Sequence, residues 1–140
     1  MCYKLRKYDF MKVLKAIVLF IFCLHFVFTT YGQDVASVIP SALKTANANA
    51  IAKNFDKRVD VTIGEVADNY SNEQAEIILK GFLSKFSSRD FIVVHKGNAK
   101  DDAQYIIGSL KTNAGSYRTY IFIKKTGTTN YIQEIRFEKE

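Results

Sequence analysis

The chain is 140 residues long, and its formal net charge is +6 at pH 7. The segment through Gly32 contains five basic residues and one acidic residue, so residues 33–140 carry a charge of only +2. A nucleic-acid-binding protein is expected to present a clustered basic surface, whereas the basic residues of 33–140 are interspersed with acidic ones, and this distribution excludes nucleic acid as the expected partner.

Residues 1–32 have the three parts of a secretory signal peptide. Basic residues precede the apolar run 16–28, and small residues at positions 30 and 32 precede Gln33. The run is shorter than the roughly 20 residues of a membrane-spanning helix, so we expect cleavage without stable membrane insertion. An uncleaved N-terminal anchor is the alternative, and translation from either Met1 or Met11 would supply such a leader. Residues 33–140 are therefore expected to form one exported domain, periplasmic or extracellular.

The exported part is predicted to have neither disulfide, metal nor cofactor. Both cysteines, Cys2 and Cys23, lie in the predicted signal peptide, so the domain depends on packing of its apolar side chains. His95 is its one histidine, which excludes a multi-histidine metal centre within one chain. The sequence also lacks a phosphate loop and a dinucleotide-binding glycine pattern.

Two helices are predicted at the start of the domain. Apolar residues at helical spacing occupy 35–46. Pro40 is tolerated only in the first turn of a helix, so we expect this helix to begin near residues 38–39. A short second helix over 47–55 is expected to be capped by an asparagine at position 47 or 49.

The clearest predicted helix runs from Asn72 to Phe86. Ser71 and Gln74 have the spacing of a capping box. One broad apolar stripe on this helix would cover one face of a sheet. The stripe consists of Ala75, Ile78, Leu79, Phe82, Leu83 and Phe86.

Six strands are predicted, two before this helix and four after it. A half-buried strand over 56–64 is followed by a short partner strand over 65–69. The last four strands are separated by short connections containing Gly, Asn or Asp, which predicts an antiparallel meander with 116–125 as an interior strand. Gly108 indicates a bulge or a bend. The last four strands cover 90–97, 103–112, 116–125 and 130–138.

Five segments of the sequence resemble those of a family of small exported bacterial proteins, domain of unknown function 4783. They are FDKRVDVTI, YSNEQAEIILKGF, VVHKG, YIIGSL and IQEIRFEKE, in this order. The order of helices and strands resembles the cone-shaped α+β fold of the nuclear transport factor 2-like superfamily. The resemblance implies a curved antiparallel sheet packed against N-terminal helices and one longer helix. That superfamily contains ketosteroid isomerases and dehydratases as well as non-catalytic binding domains, so the fold alone does not decide the chemistry.

Histidine is the side-chain type best suited to acid/base chemistry near neutral pH, and His95 is the one histidine of residues 33–140. His95 and Phe91 are four residues apart in the same predicted strand. Because side chains of a strand alternate between its two faces, both are expected on the same side of the sheet. One hypothesis makes His95 an acid/base group in a cone pocket, assisted by a tyrosine or by Glu134. The other makes it a strand-end histidine bonded to a neighbour or to water.

Tyrosines on successive strands supply candidate ligand contacts. Tyr105 and Tyr117, together with His95, could line a pocket that holds a small apolar ligand. Tyr120 and Tyr131 belong to the same series, and the alternative for all four tyrosines is cross-strand packing. The sequence therefore predicts a non-catalytic ligand-binding or protein-interaction module, with an isomerase- or dehydratase-like enzyme around His95 as the alternative.

The strand 116–125 alternates two sets of side chains that are both rich in apolar groups. If one set faces the helices, Tyr120 and Phe122 form an exposed patch unless something covers them. This pattern predicts a homodimer through the sheet, or another partner contact, centred on these two residues. Five basic residues on the same strands form either a basic strip or cross-strand ion pairs with Glu134, Glu138 and Glu140. The five are Arg118, Lys124, Lys125, Arg136 and Lys139.

Overall fold

The computed structural model describes residues 34–140, together with residues 12, 14 and 15. The predicted signal peptide lies outside the described residues, apart from those three. Within the described part, no helix is long and apolar enough to cross a membrane. Nine elements follow one another in 34–140: α1 (Val35–Lys44), α2 (Ala48–Ala52), β1 (Phe55–Ile63), β2 (Val66–Ser71), α3 (Asn72–Phe86), β3 (Ser88–Asn98), β4 (Gln104–Thr112), β5 (Gly115–Thr126) and β6 (Thr129–Lys139).

The six strands form one sheet in the order β2-β1-β6-β5-β4-β3. Strands β3 to β6 make the predicted antiparallel meander, and β5 is an interior strand as predicted. The hairpin β1–β2 joins this meander through a parallel pairing of β1 with β6. Sequence alternation does not reveal that junction, because β1 and β6 lie at opposite ends of the domain sequence.

The two faces of the sheet differ in what covers them. The ring of Phe82 in α3 contacts those of Tyr117 and Phe137, with centroids 5.3 and 4.7 Å apart. Helices therefore cover this side, which we call the helix face. Alternate residues of each strand lie on the opposite side, the open face, where Tyr120 and Phe122 are half-buried. The residues of β5 on the helix face are all buried: Tyr117, Thr119, Ile121 and Ile123.

Helix α3 has the predicted bounds and the predicted cap. The Gln74 backbone N–H donates to Ser71 Oγ at 3.4 Å, and the Ser71 N–H donates to Gln74 Oε1 at 3.3 Å. These two bonds satisfy N–H groups that the first turn of a helix leaves without partners. The predicted apolar stripe faces the sheet, and Leu79 and Leu83 within it are fully buried.

Helix α1 begins at Val35, capped by Asp34, and not near residues 38–39 as expected. Pro40 lies inside the helix and has no N–H for the carbonyl of Ala36, four residues earlier. The Lys96 ammonium of β3 donates to that carbonyl at 3.1 Å instead. A tertiary contact thus supplies the hydrogen bond that the proline removes, and sequence rules for helices do not include it.

Helix α2 is shorter than predicted and ends at Ala52. Asn47 is its cap, since the Asn47 side chain accepts the N–H of Ala50 at 3.0 Å. Phe55 is not the last residue of this helix but the first of β1, and it is buried there opposite Ile132.

Among the register shifts of the sheet, two β-bulges decide the face on which His95 and Ile132 lie. In β3, Val93 stands opposite Gly108 and His95 opposite Ile107, so Val94 is an extra residue. In β6, the extra residue is Gln133, because Phe122 stands opposite Glu134 and Ile123 opposite Ile132. The second bulge turns Ile132 into the core, whereas an unbroken two-residue period would place it on the same face as Glu134 and Arg136.

Gly108 stands opposite the first bulge rather than carrying it. A Cβ atom on Gly108 would lie 2.3 Å from Cζ of Phe91 and 2.8 Å from the Ile92 carbonyl oxygen. Glycine is therefore required for the Phe91 ring to lie across β4 on the helix face.

Candidate functional site

Four side chains form a block on the open face, which we call the aromatic patch. Tyr105 stands opposite Phe122, and Ile107 stands opposite Tyr120, across β4 and β5. The rings of Tyr105 and Tyr120 stack with centroids 6.3 Å apart and an interplanar angle of 24°. All four side chains are half-buried, so the patch keeps apolar surface in contact with solvent.

Beside the aromatic patch, the edge strand β3 adds two more exposed apolar side chains. Ile92 is 50% exposed and Val94, the extra residue of the bulge, is 70% exposed. Sequence alternation did not identify them, because the continuous apolar run from Phe91 to Val94 has no two-residue period. A usable signal was the polar pair His95 and Lys96 directly after that run, which is typical of an edge strand.

His95 lies on the open face, contrary to the expectation from strand parity. The bulge at Val94 turns it away from Phe91 and places it opposite Ile107. Its Nε2 lies 3.1 Å from the Tyr105 hydroxyl, and both side chains of this hydrogen bond are accessible to solvent. His95 and Tyr105, two of the three residues expected to line a pocket, are thus in contact, but on an open surface and not inside a cone.

Glu134, the other candidate for acid/base chemistry, is not brought to His95. Strands β4 and β5 separate the two residues, a distance of about 14 Å at ordinary strand spacing. Glu134 accepts a hydrogen bond from Arg136, which also pairs with Glu138 at 3.8 Å. Both ion pairs of Arg136 lie within β6, so this residue pairs along its own strand and not across strands as expected.

Arg136 also connects the charged region to the aromatic patch. Its guanidinium carbon lies 5.7 Å from the centroid of the Tyr120 ring. The hydrogen bond to Glu134 raises the pKa of Arg136 above its ordinary value. Burial raises the pKa of the Tyr120 hydroxyl, and the negative charge of Glu134 adds to this shift. Neither shift produces a group that exchanges protons near neutral pH.

Tyr117 does not belong with the other candidate ligand contacts. It is buried on the helix face, where it packs edge-on against Phe82 and contacts Phe86 at 5.6 Å. Tyr105 lies on the opposite face, so Tyr117 and Tyr105 cannot line one pocket. For Tyr117, cross-strand and helix packing is the correct interpretation.

Two open grooves lie at one end of the sheet, and both are lined by Asn98 and Gln104. The larger has a volume of about 540 Å³ and lies between the β3–β4 loop and the β5–β6 turn. The smaller, about 230 Å³, extends to Asp34 and Ala36. His95 lines neither groove. Within 34–140, no cluster of three or more metal-ligating side chains could hold an ion.

Comparison with protein families gives one match, described as "Domain of unknown function (DUF4783)", over residues 36–138. A DUF4783 family protein from Bacteroides uniformis is 27% identical, with 76% of this chain and 98% of that chain covered and a TM-score of 0.73. One from Bacteroides ovatus is 25% identical, with 78% and 98% covered and a TM-score of 0.73. The chain is thus similar to solved structures of that family over almost their full length.

A more distant match concerns the fold alone. An NTF2-like protein of unknown function from Cytophaga hutchinsonii is 12% identical, with 77% of this chain and 88% of that chain covered and a TM-score of 0.56. Among proteins of curated function, none matches the chain. The predicted α+β architecture of the nuclear transport factor 2-like type is confirmed.

Proposed function

Because the chain belongs to the DUF4783 family, whose description assigns no activity, we propose that it is a non-catalytic interaction module that binds a second copy of itself through the open face. The observation that carries this proposal is the aromatic patch, flanked by exposed Ile92 and Val94. Contiguous exposed apolar surface on a soluble domain marks an interaction site. Tyrosine and phenylalanine are also the residues enriched at such contacts.

A second copy is the occupant that the charges of the open face favour. Beside the aromatic patch, Arg136 is balanced by Glu134 and Glu138, and Arg118 stands opposite Glu138. A surface on which positive and negative charges are interspersed can contact the same surface of a second copy without a large repulsion between like charges. In a two-fold symmetric dimer, both subunits contribute the same surface. One apolar patch with charges of both signs at its margin is therefore sufficient to form the dimer.

The geometry around His95 supports a role in contact rather than in catalysis. A general acid or base acts on a substrate held within hydrogen-bond reach, and His95 lines neither groove. Its hydrogen-bonding partner is Tyr105, a residue of the aromatic patch. The small apolar ligand expected from the sequence stays a prediction, and the aromatic rings that fill the space between α3 and the sheet do not favour it.

Sedimentation of the Phe122→Glu variant tests the proposal. The wild-type protein is expected to sediment as a dimer at roughly 50 μM, a range that detects contacts of micromolar affinity. The variant is expected to sediment as a folded monomer, because a carboxylate in a desolvated apolar contact has no partner. Ile77→Glu is the matched control, since Ile77 is 71% exposed on α3, and it should leave the dimer intact.

Two results would contradict the proposed self-association. A wild-type protein that is monomeric at that concentration would do so directly. Equal loss of the dimer in Ile77→Glu and Phe122→Glu would place the contact elsewhere on the surface. Circular dichroism on both variants separates loss of association from loss of the fold.

Export is part of the same proposal and is supported by the composition of residues 1–32. Expression of the full chain in a bacterial host with a secretory pathway should yield a periplasmic product shortened at its N-terminus. Intact mass spectrometry identifies the first residue of this product, which we expect to be Gln33. A product of full length in the membrane fraction would favour the uncleaved anchor.

A further inference from the structure

A row of four side chains crosses the open face on four adjacent strands. Arg136 of β6 lies over the ring of Tyr120 in β5, with 5.7 Å between the guanidinium carbon and the ring centroid. Tyr120 stacks on Tyr105 of β4, and the Tyr105 ring centroid lies 5.5 Å from that of His95 in β3. The two ends of the row differ, because arginine is always charged, whereas histidine is the residue type that changes its charge between about pH 5 and pH 8.

The surroundings of His95 on the open face are largely apolar. His95 stands opposite Ile107, a half-buried member of the aromatic patch, and directly follows Val94, which is 70% exposed. The hydroxyl of Tyr105, another member of the patch, forms the hydrogen bond to its Nε2 at 3.1 Å. A contact that covers the aromatic patch therefore also removes water from His95.

The hydrogen bond to Tyr105 does not by itself select one charge state of His95. A tyrosine hydroxyl both donates and accepts, so it can donate to Nε2 of a neutral imidazole or accept from the N–H of an imidazolium. The two forms differ in the free energy needed to remove them from water, which is much larger for the charged form. Desolvation of His95 in a contact therefore favours its neutral form.

Within residues 34–140, no carboxylate forms an ion pair with His95. The neighbouring Lys96 lies on the helix face, where it donates to the carbonyl of Ala36. The acidic residues of β6 that pair with Arg136 are about 14 Å from β3 at ordinary strand spacing. Charges in solvent are largely screened beyond about 8–10 Å at moderate salt, so these acids do not compensate an imidazolium at position 95.

The other charged groups around β3 do not supply a counter-charge either. Those of β3, of β4 and of the turn between them lie at least four residues from His95 along the strands, about 13 Å at the rise of a strand. The two on β5 are basic. His95 therefore gains no compensating negative charge from its own subunit. These groups are Lys100, Asp101 and Asp102 of the turn, the pairs Lys44–Asp90 and Lys111–Glu140, and Arg118 and Lys124 of β5.

We propose that protonation of His95 weakens the self-association of this domain, so that the dimer through the open face dissociates as the medium becomes acidic. This inference rests on the proposed function and names its regulation. The direction follows from linkage, since a dimer that keeps His95 neutral binds fewer protons than two monomers do, and a fall in pH favours the species that binds more protons. Each dimer contains two copies of His95, so both contribute to the effect.

Sedimentation of the wild-type protein, purified after expression of the full chain, tests this regulation. At about pH 5.5 the dissociation constant of the dimer is expected to be at least about tenfold larger than at about pH 8, the two sides of the range in which histidine titrates. The protein carries no polyhistidine tag, because the imidazoles of a tag titrate in the same range. Circular dichroism at both pH values verifies that the domain remains folded.

Substitutions assign the effect to His95. His95→Gln has no charge at either pH, and its amide can still bond to the Tyr105 hydroxyl, so its dissociation constant should be the same at both pH values. His95→Lys is charged at both pH values and should weaken the dimer at both by about tenfold. Asp90→Asn, on the same strand but far from the aromatic patch, is the matched control and should keep the wild-type pH dependence.

The possible results separate this inference from the proposed dimer. A wild type that dimerises at about pH 8 and equally or more tightly at about pH 5.5 would overturn the regulation and leave the dimer standing. A pH dependence that persists in folded His95→Gln would assign it to other groups, and would overturn the proposal as well. A wild type that is monomeric at both pH values would contradict the self-association itself, and its regulation with it.

Discussion

The two faces of the sheet carry the same kinds of side chain but use them differently. On the helix face, Tyr117 and Phe137 are buried against the rings of α3. On the open face, Tyr120 and Phe122 lie on β5, the strand that also carries Tyr117, and they are half-buried. Aromatic composition is therefore no guide to role, because the register decides which rings stabilise the fold and which remain available for contact.

The largest expected difference in stability is between variants of two phenylalanines on opposite faces of the sheet. Phe137→Ala removes a fully buried ring and should lower the free energy of unfolding by about 3–5 kcal/mol. Phe122→Ala removes a half-buried ring and should cost about 1 kcal/mol in the monomer. Urea unfolding at low protein concentration measures both values. Similar losses for the two variants would mean that the open face contributes to the fold as much as the helix face does.

Two glycines provide a smaller contrast between the faces. Gly108→Ala places a Cβ atom 2.3 Å from the buried Phe91 ring and should destabilise the domain by about 1–3 kcal/mol. Gly97→Ala meets the Tyr105 hydroxyl at 2.5 Å. That side chain can turn into solvent, so the expected loss is about 1 kcal/mol. The change should also separate Tyr105 from His95, which the ring signals of His95 would report.

Gly81→Ala is the control for these substitutions. Gly81 lies in the interior of α3, and a Cβ atom there would meet nothing within 4 Å. The replacement should therefore stabilise the domain by about 0.5–1 kcal/mol through helix propensity. A loss of stability at Gly81 would show that the contrast between Gly108 and Gly97 does not arise from local contacts.

The contact between Lys96 and α1 is expected to contribute less to the free energy of unfolding than the packing around Gly108 does. Lys96→Met keeps the side-chain stem but removes the donor to the Ala36 carbonyl, with an expected loss of about 1 kcal/mol. Pro40→Ala restores a backbone N–H for the same carbonyl. In the Pro40→Ala background, Lys96→Met should therefore cost much less. A double-mutant cycle measures this coupling, and additive effects would show that the ammonium does not replace the missing N–H.

The smallest effect is expected for the exposed pair between Lys44 and Asp90, whose charged groups lie 3.0 Å apart. The hydrogen bond from Lys44 lowers the pKa of Asp90 below its ordinary value of 3.8. A lowered pKa in the folded state stabilises the protein above the unfolded value, and the contribution is lost as the pH falls through the folded pKa. Asp90→Asn should therefore be slightly less stable than the wild type at pH 7.

The pH dependence of that difference is the test. Below pH 3.8 the stabilities of the wild type and of Asp90→Asn should converge, and 1 M salt should reduce the difference at pH 7. Asparagine keeps an oxygen that can accept the Phe91 N–H, so this local bond is not lost with the charge. A difference that is constant with pH would mean that Lys44 does not act on Asp90 through its charge.

Much of this architecture could be predicted from the sequence, for physical reasons that particular residues illustrate. The cap at Ser71 and the stripe through Leu79 predicted α3 to the residue, because both signals are local. The alternation in β5 predicted an interior strand, since both of its sets contain apolar side chains. The capping and the two-residue period each depend on neighbours only a few positions away.

The failures occur where a distant contact changes a local rule. The two-residue period of β3 placed His95 on the side of Phe91, and the bulge at Val94 reverses this assignment. A second bulge, in β6, turns Ile132 into the core. The start of α1 was misplaced because Lys96 compensates for Pro40. The grooves at the end of the sheet were missed because their lining residues come from turns and strand ends that are distant in sequence.

The parallel pairing of β1 with β6 has a consequence for how the domain folds. Phe55 and Ile63 pair with Ile132 and Phe137, so the strand made after all the others lies between β1 and β5 in the finished sheet. Until β6 has left the ribosome, β1 and β5 each present an unpaired edge, and the two parts of the sheet remain unconnected. Contacts between residues this far apart in sequence slow folding, because the long loop between them must close, at a cost in conformational entropy, before the contacts can form. The nascent domain is therefore expected to stay unfolded, and dependent on chaperones, throughout most of its synthesis.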